Sequence, residues 1–238
     1  MTPEALSLAC EREVVFRATT SSTNRDAREL ADEGAPSGTL VVADAQEAGR
    51  GRLGRSWHSP AGLNLYFSLV LRPPCRPEAA PLLCLATALA VAEANAAFIK
   101  WPNDVVDAQD RKLGGILAEL ETRGPHLAYV VLGVGLNVNQ EVFPPELPNP
   151  ACLGPGLDRI EVLSRTLFRI EDRCAEAVHD PAAMLRAWRA RSRTLGRRVQ
   201  VGTIAGIARD VRHDGALLVE TESGVRALLS GDVELIAT

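Results

Sequence analysis

Hydrophobic and polar positions along the 238 residues change period repeatedly, and each change marks an element. Residues 13–18, rich in Val and Phe, read as a first strand. Thr20, Ser21, Ser22, Thr23 and Asn24 are all helix N-cap types; they lead into a helix over 26–33 that Gly34 closes. Residues 39–43 form a short buried strand. From Gln46 to Pro60 the periodicity vanishes, and three glycines and three arginines predict a long loop. Loops of that length in compact domains are usually functional or mobile. A strand follows at 64–71, the Pro73-Pro74 pair breaks the chain, and 78–96 is an alanine-rich buried helix. Residues 98–101, 112–121 and 127–137 read as three further strands, the last an almost unbroken run of Val and Leu. A rigid connector with five prolines spans 144–156. Two helices come next, at 160–178 and from Pro181, the latter with Asp180 as N-cap and proline at its first position.

After Gly196 the pattern shortens. Strands at 198–202, 203–209, 216–220, 225–229 and 233–236 are separated by turn residues such as His213-Asp214-Gly215 and Ser223-Gly224. Five close strands suggest a small SH3-like β-barrel. The chain therefore reads as an α/β (α+β) unit of catalytic size over 1–194 and a small all-β unit over 195–238.

Composition narrows this picture. With 46% hydrophobic and 24% charged residues the chain is globular, and its net charge of −4 gives no general pull toward nucleic acid or acidic membranes. Cys10, Cys75, Cys84, Cys152 and Cys174 are scattered, odd in number and without a C-x-x-C pair, which reads as reduced cytoplasmic thiols. No signal peptide is recognisable, and the longest apolar run, 79–92, is too short to cross a bilayer. Of 26 basic residues only Lys100 and Lys112 are lysine. A chain that otherwise uses the planar arginine fork places its two compact ammonium groups close together.

Candidate chemistry lies in three places. In Gly49-Arg50-Gly51-Arg52-Leu53-Gly54-Arg55-Ser56-Trp57 the glycines let backbone amides approach an anion, the arginines offer bidentate bonds to phosphate, and Trp57 can stack on a purine or a guanidinium. Taken alone, the same loop also reads as a solvated basic segment or an RNA-binding one. Lys100-Trp101-Pro102-Asn103-Asp104 ends a strand, and Lys112-Leu113-Gly114-Gly115 begins one with an ammonium and two glycines; a turn and a bulge are their plain alternatives. In Gly133-Val134-Gly135-Leu136-Asn137-Val138-Asn139 the glycines bare one strand face, and Asn137 and Asn139 project from it; close helix packing is the alternative. A dinucleotide G-x-G-x-x-G is absent, because Val138 stands at the third glycine. No Walker A sequence, G-x-S-x-G or H-E-x-x-H occurs, and His58, His126, His179 and His213 lack ligand spacing. Cations and backbone donors remain, and these suit electrostatic stabilisation of phosphoryl chemistry.

In order and approximate spacing these segments resemble the bacterial biotin–protein ligase family. The resemblance rests on Ser22-Thr23-Asn24, on Gln46 ahead of Gly49-Arg50-Gly51-Arg52 with Gly54-Arg55 and Trp57, and on Ser59-Pro60 and Asn64-Leu65. It continues through Lys100-Trp101-Pro102-Asn103-Asp104, Lys112-Leu113-Gly114-Gly115-Ile116-Leu117 with Glu119, and Gly133-Val134-Gly135-Leu136-Asn137. It implies a catalytic domain with a mixed central sheet flanked by helices, the SH3-like barrel behind it, and activation of biotin by ATP, with Mg²⁺, for transfer to a lysine of a biotin carboxyl carrier domain. By the same resemblance Ser22, Thr23, Asn24 and Gln46 hold the biotin ring and tail, with Gly114 and Gly115 beside them. Arg50, Gly51 and Arg52 wrap the biotin carboxylate and the adenylate phosphate, and Lys112 lies over both; Lys112 and Arg50 are thus the catalytic pair. Arg55, Trp57, Asn103 and Asn137 fall near the nucleotide, and no residue is assigned to a metal. The family's regulators carry an N-terminal helix-turn-helix, whereas here about twelve residues precede the first strand, so no sequence-specific DNA binding is expected. Cytoplasmic location and no membrane association follow; homodimerisation stays open. A lipoate–protein ligase is the nearest enzymatic rival, against which stands the arginine-rich loop. A non-catalytic ligand-sensing or nucleic-acid-binding module is the rival from another class.

Overall fold

The computed structural model describes residues 1–236. Seven strands, β1 (Val14–Thr20), β2 (Leu40–Gln46), β3 (Leu65–Leu71), β4 (Phe98–Lys100), β5 (Asp104–Val106), β6 (Lys112–Arg123) and β7 (His126–Leu136), form one sheet in the order β1-β2-β3-β7-β6-β5-β4. β1 and β2 run parallel and every other pair antiparallel, so the sheet is mixed as expected. Five helices flank it: α1 (Pro3–Cys10), α2 (Thr23–Asp32), α3 (Ala80–Ala94), α4 (Arg159–His179) and α5 (Pro181–Arg191).

Strand alternation divides the apolar residues between the two faces. Leu40, Val42, Phe67, Leu69, Val130 and Leu132 pack with α3, α4 and α5 in the main core. Val41, Val70, Tyr129 and Val131 face the other way, onto Ala27 and Ala31 of α2. α3 is apolar on all sides because it is enclosed on all sides. With the turn before it, over Pro77–Ala94, it is long and apolar enough by composition to cross a bilayer, but it is a core helix, with Leu83, Ala86, Ala88, Leu89, Val91 and Ala92 at 0–1% exposure. α2 is only ten residues long, so it covers one end of its face and leaves the β6–β7 end of that face open.

Two elements have no counterpart in the sequence reading. α1 starts at an N-cap, Thr2, whose hydroxyl accepts from the Ala5 N–H, and it buries Leu6 completely. β5 follows directly on Asn103, where only a turn was expected; Val105 and Val106 are fully buried between β4 and β6.

The C-terminal strands β8 (Arg198–Val201), β9 (Ile204–Val211), β10 (Leu217–Thr221), β11 (Gly224–Leu228) and β12 (Val233–Leu235) form an antiparallel sheet in the order β11-β10-β9-β8-β12. The expected barrel is not closed: β11 and β12 are opposite edges of an open sheet. β12 has only three paired residues, and β11 is exposed along most of its length, so neither meets the other. The small sheet is not an independent bead. Val199, Ala208, Leu217 and Val219 join the main core, and the buried Trp101 indole donates to the Gly215 carbonyl (3.0 Å).

Candidate active site

The open end of the α2 face becomes a cleft because two residues in its floor have no side chain. On β7, Gly133 and Gly135 continue the row of Tyr129 and Val131. Register places Gly133 between Ser68 of β3 and Leu117 of β6, and Gly135 between Tyr66 and Gly115. The space is taken by side chains from elsewhere. Asn24 lies over Gly133, where a Cβ would stand 1.9 Å from its Oδ1, and the Trp57 indole lies over Gly135, where a Cβ would stand 2.5 Å from the ring. The bare face inferred from the glycines is real, and it seats two recognition side chains before any ligand.

The first wall is the start of α2. Ser22, the N-cap, makes no side-chain cap bond, and Ser22, Thr23 and Asn24 are each only 4% exposed. Gln46, at the end of β2, accepts at Oε1 from the Thr23 backbone N–H (2.9 Å) and hydroxyl (3.2 Å), and its Nε2 donates to Ser59 Oγ (2.9 Å). Buried Ser68 Oγ lies within hydrogen-bond distance of Thr23 Oγ1 (2.8 Å) and Asn24 Oδ1 (2.6 Å). Asn24 Nδ2 donates to Glu119 Oε2 at 2.7 Å. Thr23, Asn24 and Gln46 are each held by another polar group, so these three present fixed donors and acceptors at little further cost in ordering.

The opposite side is cationic. Residues 49–57 fold back as a short hairpin: Gly51 N–H donates to the Arg55 carbonyl (2.7 Å), Trp57 N–H to that of Gly49 (2.8 Å), and a 3₁₀ turn at Arg52–Gly54 makes the tip. Leu53, at that tip, is in the left-handed region with φ 56°. Each cation has a partner in place. Arg50 Nη2 is 3.1 Å from Glu119 Oε2, and Lys112 Nζ is 2.6 Å from Asp104 Oδ1 and 5.4 Å above the Trp57 ring. Asp104 also meets Lys100, at 3.5 Å. Arg52 Nη1 donates to Asn103 Oδ1 (3.1 Å) and to the Gly231 carbonyl (3.3 Å), and Arg55 pairs with Asp232.

Ser22, Thr23, Asn24, Gln46, Arg50, Gly51, Arg52, Arg55, Trp57, Asn103, Lys112, Gly115 and Asn137 thus line one cleft of about 420 Å³. Two expectations fail. Gly114 does not line the cleft: it alternates with Gly115 onto the other face, where a Cβ would stand 2.7 Å from the Gly135 carbonyl, so its small size serves strand packing. Asn139 does not project beside Asn137. The strand ends at Leu136, and the Asn139 amide exchanges hydrogen bonds with Leu157 (2.9 and 3.0 Å). Asn137 itself is turned partly to structure, donating to the Ala151 carbonyl at 3.0 Å.

The sequence reading missed Phe143, Glu146, Leu147, Pro148 and Pro150, which close one side of the cleft from the segment taken as a connector and the residue before it. It also left out Ser68 and Asp232 and gave Glu119 no role; no local pattern marks residues whose partners are 44 to 177 positions away.

Outside the cleft lining, burial holds the Tyr66 phenol protonated far above its ordinary range and pushes the Cys84 thiol up to about 11. Among the described residues no three His, Cys, Asp or Glu stand together as a metal cage. The Trp57 Nε1–H is buried without an acceptor, a state that costs roughly 1–3 kcal/mol until an acceptor arrives. The arrangement can hold a flat polar ring and draw two anions together.

The profile of the biotin/lipoate A/B protein ligase family matches residues 15–137, and that of the biotin protein ligase C-terminal domain matches 194–236. The biotin–[acetyl-CoA-carboxylase] ligase of Mycobacterium tuberculosis is 36% identical over 93% of this chain and 88% of that protein. The bifunctional ligase/repressor BirA of Bacillus spizizenii is 37% identical over 93% of this chain and 74% of its own. In structure the chain is similar to the biotin protein ligase of Aquifex aeolicus in complex with biotin and ATP, with a TM-score of 0.77 and 31% identity over 94% of this chain and 99% of that one.

Proposed function

The chain belongs to the biotin/lipoate A/B protein ligase family, and on that premise we propose how its cleft residues carry out the reaction. The activity is biotin–protein ligation: biotin is activated by ATP to biotinyl-5′-AMP and passed to a lysine of an acceptor protein. The observation that carries the assignment of roles is the meeting of the α2 polar patch with Lys112 and Arg50 in one cleft.

In this reading the ureido ring of biotin sits against Ser22, Thr23, Asn24 and Gln46, whose fixed donors and acceptors match a group that both donates and accepts. Its tail runs from that patch to Lys112 and Arg50. The carboxylate is ionised at neutral pH, so its attack on the α-phosphorus needs no general base. An O–P bond forms, the bond to the β-phosphate oxygen breaks, and pyrophosphate leaves. The obstacle is the approach of one anion to another. Lys112 and Arg50 relieve it by exchanging Asp104 and Glu119 for carboxylate and phosphate oxygens, with Arg52 and Asn103 on the nucleotide side. Mg²⁺ would be held by the triphosphate substrate itself and would neutralise its charge, since no three carboxylates, histidines or thiols among the described residues stand together to hold it. The acceptor lysine, as its neutral amine, then attacks the acyl carbon; the acyl–oxygen bond to phosphate breaks, AMP leaves, the amine's proton passes to solvent and an amide remains.

We assign the acceptor to a biotin carboxyl carrier domain and the reaction to the cytoplasm, where ATP and the carrier meet. We also place the boundary between the two units near residue 194. Mass spectrometry of a carrier domain after incubation with the protein, biotin and ATP should show one biotinyl group on one lysine. Lipoate with ATP should give no comparable adenylate; a faster reaction with lipoate would move the chain to the other branch of its family. Cleavage by trypsin after Arg50, Arg52 or Arg55 should slow when biotin and ATP are both present, because bound anions tie the hairpin down. Equal cleavage with and without them would rule out closure over the intermediate.

A further inference from the structure

We propose that the C-terminal sheet is the second half of the lid, with Asp232 a positioning residue that holds the Gly/Arg hairpin over the adenylate through Arg55. The inference rests on the ligase reading and reassigns Arg55, which the family resemblance places among nucleotide contacts.

The hairpin's internal hydrogen bonds set its shape but not its tilt over the cleft. Its position there is held by the Trp57 indole seated on Gly135 and by its three arginines. Arg50 is anchored on Glu119 of β6 and Arg52 on Asn103, whereas Arg52 also reaches the Gly231 carbonyl and Arg55 reaches Asp232, far along the chain. The receiving site is shaped for this. Gly231 has φ 141°, and a Cβ there would stand 2.3 Å from Val201 Cγ1, so only glycine can present that carbonyl to Arg52. Asp232 is the residue before β12, whose pairing with β8 fixes its direction. The Arg55 side chain, 65% exposed, is spent on the Asp232 carboxylate rather than aimed at the cleft floor. An ion pair this exposed is weak, worth up to about a five-fold change in an equilibrium, which suits a latch that must open once per turnover.

The test is the rate at which preformed biotinyl-5′-AMP is lost from the enzyme, measured beside the Kd for biotin alone. Asp232→Ala and Arg55→Ala should each speed adenylate loss about three- to five-fold and leave the Kd for biotin unchanged. The double variant should be no worse than either single one, Asp232→Glu should stay near wild type, and the exchanged pair Arg55→Asp with Asp232→Arg should return to within about two-fold. If Arg55 binds phosphate directly, Arg55→Ala will exceed Asp232→Ala and the exchanged pair will be the worst of all, which overturns the proposal. Wild-type rates in every variant overturn it equally. A wild-type protein that forms no adenylate would instead defeat the ligase reading itself.

Discussion

Lys112→Ala should lower biotinyl-adenylate formation by about 10²–10³-fold, or about 3–4 kcal/mol of transition-state stabilisation, as removal of a single oxyanion donor does in other enzymes. Lys112 is the one ammonium placed between the cleft carboxylate Asp104 (2.6 Å) and the Trp57 ring (5.4 Å). Its loss removes a positive charge where two anions must meet. It also leaves Asp104 facing the cleft with only Lys100, at 3.5 Å, to balance it, so the site turns from attractive to repulsive. Lys112→Arg should not restore the rate, because a planar fork cannot take the position of a point charge held between a carboxylate and an indole face. Biotin-dependent exchange of pyrophosphate into ATP measures the step directly. Exchange within a few-fold of wild type would remove Lys112 from the centre of the mechanism.

The second large effect is expected where no functional group is changed. Gly133→Ala should raise the KM for biotin by roughly 10²-fold, the equivalent of losing about 3 kcal/mol of binding, and should also lower the melting temperature by several degrees. A Cβ on residue 133 would stand 1.9 Å from Asn24 Oδ1 and 2.7 Å from its Cγ, so the Asn24 amide must swing away. It would then lose both Ser68 and Glu119, leaving buried polar groups unpaired at about 1–3 kcal/mol each. Gly135→Ala tests the same logic two residues on. Its Cβ would meet the Trp57 indole at 2.5 Å, and displacing that ring disturbs Lys112 and the nucleotide side instead. Steady-state kinetics with biotin and ATP varied separately should divide the two variants, the first acting chiefly on the KM for biotin and the second on that for ATP. If Gly133→Ala leaves the biotin KM unchanged, Asn24 is not part of the recognition patch.

Local signals were enough for much of the fold. Short runs of strand-forming residues placed β1, β3, β6 and β7, and the Asp180-Pro181 pair placed the start of α5, because these patterns answer to neighbours within a few residues. β5 stayed hidden because three residues carry too little periodicity, and its strand state comes from pairing with β4 and β6. The open C-terminal sheet stayed hidden for a related reason: strand spacing shows that strands exist but not which edges meet. Gly114 and Gly115 show the limit within a single motif. They are adjacent and chemically identical, yet the pleat sends one into the packing and the other into the cleft.

The order and spacing of Ser22-Thr23-Asn24, the Gly/Arg loop, Lys112 and the Gly133–Asn137 strand were enough to show the family, the two-part fold class and the kind of chemistry. These are properties of residue type and short-range geometry, which a linear chain carries on its face. Tertiary structure alone decided which anion each cation faces before substrate arrives: Arg50 with Glu119, Lys112 with Asp104, Arg55 with Asp232. It also turned the apparent connector into a wall of the cleft. Charge pairs are chosen by distance in space, and packing of the whole chain brings together groups that no local pattern relates.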